Sequence, residues 1–150
     1  MLDATDRRLL RYLQDDPDQP LSALAEAARM PQATAARRLD KLRAEGVVRA
    51  TRAVIDWRAL GYTVEVSLRI TLEKSPQAFE TFVTAARAIP EVLEIQTFLG
   101  RVDVRLSVIA RDMAHYQELY RDHILPLPHI GDIEALMQVA EVSRRQGLPI

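Results

Sequence analysis

The side chains best placed to do chemistry lie in "MPQATAARRLDKLRAEGVV", residues 30–48. On a helix, Thr34, Arg37 and Lys41 fall at i, i+3 and i+7 along one stripe, with Gln32 at its leading end. Arg and Gln carry forked donors that suit guanine and adenine edges, and a major-groove reader presents the N-terminal residues of such a helix to the bases. Arg38 and Arg43 flank the stripe and suit phosphates, which set register without reading sequence. Arg38 has a second reading, as a structural partner of Asp6. The bland alternative for the whole stripe is a solvated charged face.

Net charge decides less than its distribution. The chain of 150 residues carries a formal charge of −1. Between residues 29 and 52, however, Arg29, Arg37, Arg38, Lys41, Arg43, Arg49 and Arg52 face only Asp40 and Glu45. Phosphate binding needs a basic patch rather than a basic chain. The balance of residues 62–150 is acidic, so the positive charge is segregated.

Other chemistries find little support. With no cysteine there is no disulfide framework, thiolate nucleophile or zinc–thiolate site. His115, His123 and His129 are scattered without metal-ligand spacing, and neither metal nor cofactor is expected. Asp15, Asp16 and Asp18 read as a solvated turn, and Trp57 as a linker anchor. No apolar run approaches the roughly 20 residues of a membrane span, and "MLDATDRRLL" lacks the apolar core of a signal peptide. A cytoplasmic protein with no membrane partner is expected.

The elements that must position these residues follow from periodicity. Asp3 or Thr5 caps a first helix with Leu9, Leu10 and Leu13 on one face, ended at Pro17. Pro20 suits the first turn of a second helix, with Leu21, Leu24, Ala25 and Ala28 inward. A third starts near Pro31, turns Ala35, Leu39 and Leu42 inward, and stops at Gly46. The tight connection "ARMPQ" makes the last pair a helix-turn-helix. Residues 48–61 read as a linker with a short strand.

From residue 62 the rhythm changes. In "YTVEVSLRITLE", Val64, Val66, Leu68, Ile70 and Leu72 alternate with Glu65, Ser67, Arg69 and Thr71, the period of a half-buried strand. A helix from Ser75–Pro76, two strands turning at Gly100–Asp103, a helix capped by Asp112 and a strand over 132–143 complete βαββαβ. The fold class is therefore α+β: a three-helix helix-turn-helix domain (1–47), a linker (48–61), and a ferredoxin-like domain (62–150). The open sheet face invites pairing with another subunit.

At this point the chain resembles the Lrp/AsnC (feast/famine) transcriptional regulators. "LDATDRRLLRYLQDD" is similar to the family's opening, "RRLDKLRAEGVV" to the end of its recognition helix, and "AVIDWRALG" to its linker. "IPEVLEIQTFLGRVDVRLSVIARDMAHY" is similar to its effector-domain run, and "RRQGLPI" to its tail. The resemblance implies a winged form of the helix-turn-helix and an effector-binding and oligomerisation role for residues 62–150. It also implies a double-stranded DNA partner, homodimers that assemble into octamers, and an amino-acid-like effector held between subunits. The matching effector positions are Gln96, Gly100, Arg101, Asp103, Met113, Leu136, Met137 and Gln138.

Departures from the family pattern are local. Arg29 stands where glycine is usual at the tight turn, which implies a positive φ for an arginine. Pro31 replaces a capping serine. The effector loop is Gly100-Arg101-Val102-Asp103 where the family has Gly-Asp-(Phe/Tyr)-Asp, and Ala135-Leu136 replaces a Thr-Tyr or Thr-Ser pair. Asp103 can take an ammonium, and Arg101 can attract a carboxylate or bridge to a neighbour. Two rival functions remain: a tetrapyrrole decarboxylase of the same two-domain plan, and an effector-binding partner of a paralogue without DNA affinity.

Overall fold

The computed structural model describes residues 1–145 and 147–150, which fall into two compact units. The first contains residues 1–54 and 142–150, the second residues 55–141.

In the first unit, α1 (Ala4–Asp15), α2 (Leu21–Ala27) and α3 (Gln32–Ala44) enclose Leu9, Leu24, Ala25, Ala28, Ala35, Leu39 and Leu42. These are the inward positions that the helical period predicts, although Leu10, Leu13 and Leu21 are only partly buried. α1 begins with a reciprocal cap: Asp3 Oδ1 accepts from the Asp6 amide at 2.7 Å, and Asp6 Oδ2 from the Asp3 amide at 3.1 Å. Such a box satisfies two otherwise orphaned donors.

α2 and α3 end in the same way. After α2, the Arg29 amide donates to Glu26 O and the Met30 amide to Ala25 O; after α3, the Gly46 amide donates to Arg43 O and the Val47 amide to Leu42 O. This double bond pattern needs a left-handed residue just past the helix. Gly46 supplies it at φ 71° without cost, whereas Arg29 is held at φ 52° with a Cβ in the way. Pro20 and Pro31 sit at the N-cap positions of α2 and α3, one residue earlier than the first helical turn, and neither offers a side-chain acceptor.

A salt bridge ties α3 to the start of α1. Arg38 Nη1 lies 2.7 Å from Asp3 Oδ2 and 2.7 Å from Asp6 Oδ1. The Asp6 amide, and then the Arg38 guanidinium, hold the Asp3 carboxyl below its ordinary value of 3.8.

The chain's last residues also belong to this unit, not to the second domain expected over 62–150. Gln14 pairs with both main-chain groups of Leu148, at 3.0 and 2.9 Å, and Arg11 Nε donates to Ile150 O at 2.6 Å. Nor does the expected strand form within 48–61. Residues 49–56 have no regular structure and Val54 and Ile55 are 84% and 64% exposed, since none of the described strands pairs with them.

In the second unit a single 3-10 turn (Trp57–Leu60) precedes β1 (Val64–Leu72), α4 (Ala78–Arg87), β2 (Val92–Thr97), β3 (Val104–Ala110), α5 (Met113–Leu119) and β4 (Ile130–Met137). α5 runs on into a wider π turn, Tyr120–Ile124. The sheet order is β2-β3-β1-β4 with every pairing antiparallel, which is the expected ferredoxin-like sandwich. Val66, Leu68 and Ile70 of β1 and Val104, Leu106 and Val108 of β3 are buried against Phe82, Ala86, Leu119 and Ile124 of the helical layer. β4 ends at Met137 rather than near 143, since beyond Gln138 N–Glu65 O (2.9 Å) its partner β1 is close to its own start.

Two outcomes follow from the first unit. Arg29→Gly should raise the chemical-denaturation free energy by up to about 1 kcal/mol, by releasing the left-handed strain. Because the Asp3 carboxyl is depressed on folding, its contribution is complete above its ordinary value of 3.8 and is lost as pH falls through the lower folded value. Asp3→Asn keeps the helix cap but not the charge. Its denaturation midpoint, followed by far-UV circular dichroism, should therefore change less than the parent's between about pH 4 and 2.

Candidate nucleic-acid interface and ligand loop

Because Ala35, Leu39 and Leu42 are buried, the opposite side of α3 faces outward. Gln32, Arg37, Lys41 and Arg43 are exposed and Thr34 is half-buried along that side. Lys41 lies 3.7 Å from Glu45 and Arg43 3.8 Å from Asp40. Exposed pairs one helical turn apart hold their cations weakly and exchange readily for a phosphate. Arg38 is different. With its side chain 27% exposed and the carboxylates of Asp3 and Asp6 on one nitrogen, it ties α3 to the start of α1 rather than projecting from it.

The start of α3 is electropositive for a second reason. Pro31 provides only its carbonyl, which accepts from Thr34 and Ala35 at 2.9 and 3.0 Å. No side chain caps the helix, so its first amides keep their partial positive charge for an incoming anion.

In the second unit the strand register sorts the expected effector residues onto three surfaces. Gln96 and Leu136 share the open sheet face, with Gln138 continuing beyond β4, since their register partners Arg105 and Ser67 alternate with the buried set. Met137 pairs with Val66 and so belongs to the helix-facing side, and Met113 starts α5. Gly100, Arg101 and Asp103 lie in the connection between β2 and β3.

That connection is pinned. Asp103 Oδ2 accepts from the Leu72 amide at 2.7 Å, the Asp103 amide donates to Ile70 O at 3.0 Å, and Thr71 Oγ1 donates to Arg101 O at 2.9 Å. The Phe98 amide closes the turn on Asp103 O at 3.0 Å. An open pocket of about 560 Å³ lies against it, lined by Arg69, Phe98, Leu99, Gly100, Arg101, Val102 and Arg105.

Of the expected effector residues, this pocket gathers Gly100 and Arg101. The flanking arginines were missed by sequence reasoning. Arg69 and Arg105 read as the polar half of two alternating strands, and only the β1–β3 register makes them neighbours. Gln138 is engaged elsewhere: with its amide turned to satisfy its surroundings, it donates to the Glu65 carboxylate at 3.1–3.2 Å. The histidines also stand apart, His115 Nδ1 accepting from the Arg111 amide at 3.1 Å and His129 Nδ1 lying 3.4 Å from Glu73. No group of metal-binding side chains occurs among the described residues. No helix there is long and apolar enough to cross a membrane.

Comparison with known proteins identifies the family and the fold. Residues 2–49 match the winged helix-turn-helix DNA-binding family, and residues 65–148 the Lrp/AsnC ligand binding domain. The DNA-binding transcriptional activator DecR of Escherichia coli is 30% identical over 100% of this chain and 99% of its own. The leucine-responsive regulatory protein of Escherichia coli is 27% identical over 99% and 92%. A transcriptional regulator of Neisseria meningitidis, solved in complex with L-methionine, superposes with a TM-score of 0.93 at 26% identity, covering 99% of this chain and 97% of that one. The chain belongs to the Lrp/AsnC family of DNA-binding transcriptional regulators.

Proposed function

We propose that α3 reads an operator through Gln32, Thr34, Arg37 and Lys41, with Arg43 on a phosphate and Arg38 as the residue that sets the helix's angle. The single observation carrying this assignment is the exposed, outward Arg37 on a helix whose buried face is fully used. The uncapped first turn adds a place for a phosphate. Two such helices in a homodimer would meet successive major-groove faces and select a palindromic site.

The second unit supplies the assembly and the control. The sheet face not covered by helices joins two copies, and dimers assemble further into octamers. A small amino-acid-like effector sits between subunits beside the Gly100–Asp103 loop, with Met113, Leu136, Met137 and the neighbouring Gln96 and Gln138 approaching from other surfaces. Its control over DNA binding equals its difference in affinity for the two assembly states. The protein works in the cytoplasm as a regulator and not as an enzyme. The segregated charge on α3 supports this over the tetrapyrrole decarboxylase reading, which would need histidines gathered around a cleft.

Arg37→Ala should cost about 1–3 kcal/mol of specific binding while leaving the fold and oligomeric state unchanged, measured by electrophoretic shift and size-exclusion chromatography. Arg43→Ala should weaken specific and nonspecific binding alike and lower the slope of log affinity against log salt by about 1. Unchanged affinity in the Arg37 variant would remove α3 as the reading helix. An unmodified protein that selects no genomic fragment would favour the non-DNA-binding partner instead.

A further inference from the structure

Arg29 holds a conformation that its own side chain opposes. It sits just past α2 at φ 52°, the left-handed region in which a Cβ is crowded. The same chain also shows the relaxed solution. The end of α3 makes the same pair of amide bonds, and there the left-handed position is Gly46, at φ 71°. A turn that needed only a tolerant backbone would be served by glycine, or by asparagine at small cost. Strained residues of this kind cluster where the side chain has a function.

Within the folded unit, no ion pair among the described residues uses that side chain. Ala28 is fully buried and Met30 packs against the core, so the chain on both sides is committed inward and Arg29 is left exposed. The amides of Arg29 and Met30 donate to Glu26 O and Ala25 O at 2.9 and 3.0 Å, which fixes the backbone before any partner arrives. Other cations nearby are engaged. Arg38 is bound to Asp3 and Asp6, while Lys41 and Arg43 have Glu45 and Asp40 at 3.7 and 3.8 Å. Between residues 29 and 43, only Arg29 and Arg37 are cations without such a partner among the described residues.

Arg29 precedes by three residues Gln32, the leading residue of the outward stripe on α3. A helix that presents its first residues to base edges brings the turn before it to the rim of the major groove, where the phosphates run. A guanidinium offers five donors there and keeps its charge at any working pH.

We propose that Arg29 is a DNA phosphate clamp. Its guanidinium holds one backbone phosphate at the rim of the groove that α3 reads, and the left-handed turn is kept for that contact rather than for the fold. The clamp sets register and does not select bases. The proposal rests on the reading of α3 as the operator-binding helix and adds to it a residue outside that helix. Folding and binding then pull opposite ways at one position.

The test uses the full chain and two duplexes, a genomic fragment selected with the unmodified protein and a random-sequence duplex of equal length. Arg29→Gly, Arg29→Asn and Arg29→Lys are compared with Arg37→Ala by electrophoretic shift over a series of salt concentrations. Arg29→Gly and Arg29→Asn should each lose about fivefold in affinity at roughly 0.15 M salt, equally on both duplexes. Each should also lower the slope of log affinity against log salt by about 1. Arg29→Lys keeps the charge at the same backbone position and should retain the slope and most of the affinity. Arg29→Gly should at the same time unfold at a higher denaturant concentration than the parent, so a weakened fold does not account for its loss of binding.

Full affinity and an unchanged slope in Arg29→Gly and Arg29→Asn, with Arg37→Ala impaired, would overturn the clamp and leave α3 as the reading helix. A loss confined to the genomic fragment would overturn it as well, since a phosphate contact is indifferent to sequence. If neither Arg37→Ala nor the Arg29 variants lose affinity, or the parent binds neither duplex, the clamp and the reading of α3 fall together.

Discussion

The period-two burial of β1 governs the second unit. Val66, Leu68 and Ile70 are fully buried in the middle of the sheet, with β3 on one side and β4 on the other. A strand so flanked cannot slip by one residue without exposing its whole apolar set. Glu65, Ser67, Arg69 and Thr71 are thereby committed to the other side. The same strand's end, Ile70–Leu72, supplies the groups that pin the β2–β3 connection through Asp103 and Arg101. Core packing and the anchoring of the β2–β3 connection thus depend on one strand.

The first unit solves a different problem, the aiming of a short helix. α3 has no glycine before it and no capping side chain at its start. Its orientation depends on what happens along its length: three buried residues on the inward side, and Arg38 reaching back to Asp3 and Asp6. A left-handed arginine at the turn is tolerated because the packed helices on either side over-determine it. The same two carboxylates close the cap of α1, so one small polar cluster serves both the first and third helices.

Charge is distributed between the units by function rather than by overall balance. The stripe on α3 offers cations in weak, exposed pairs that a polyanion can displace. The arginines of the sheet face, Arg69 and Arg105, are register partners on adjacent strands and are offset by Glu134 and Glu94. A near-neutral chain can therefore carry two separate groupings of positive charge.

The helices, the inward positions of α1 to α3, the outward stripe and the βαββαβ order of the second unit were legible in the amino-acid sequence, whereas the strand expected within 48–61 does not form and the last strand is shorter than expected. Each legible feature follows from a local period or a local punctuation: 3.6 or 2.0 residues, a proline, a glycine, an Asp cap. The positive φ of Arg29 was legible for the same reason, since the tight turn demands it. Only the tertiary structure decided whether Arg38 points at solvent or at α1, because its partners lie more than thirty residues away. Only the register of β1 with β3 brought Arg69 beside Arg105, and only long-range packing returned Leu148 and Ile150 to α1. Local periodicity states which face a side chain takes, but a neighbour from a distant strand or from the chain's end is chosen by packing, which no short window of sequence contains.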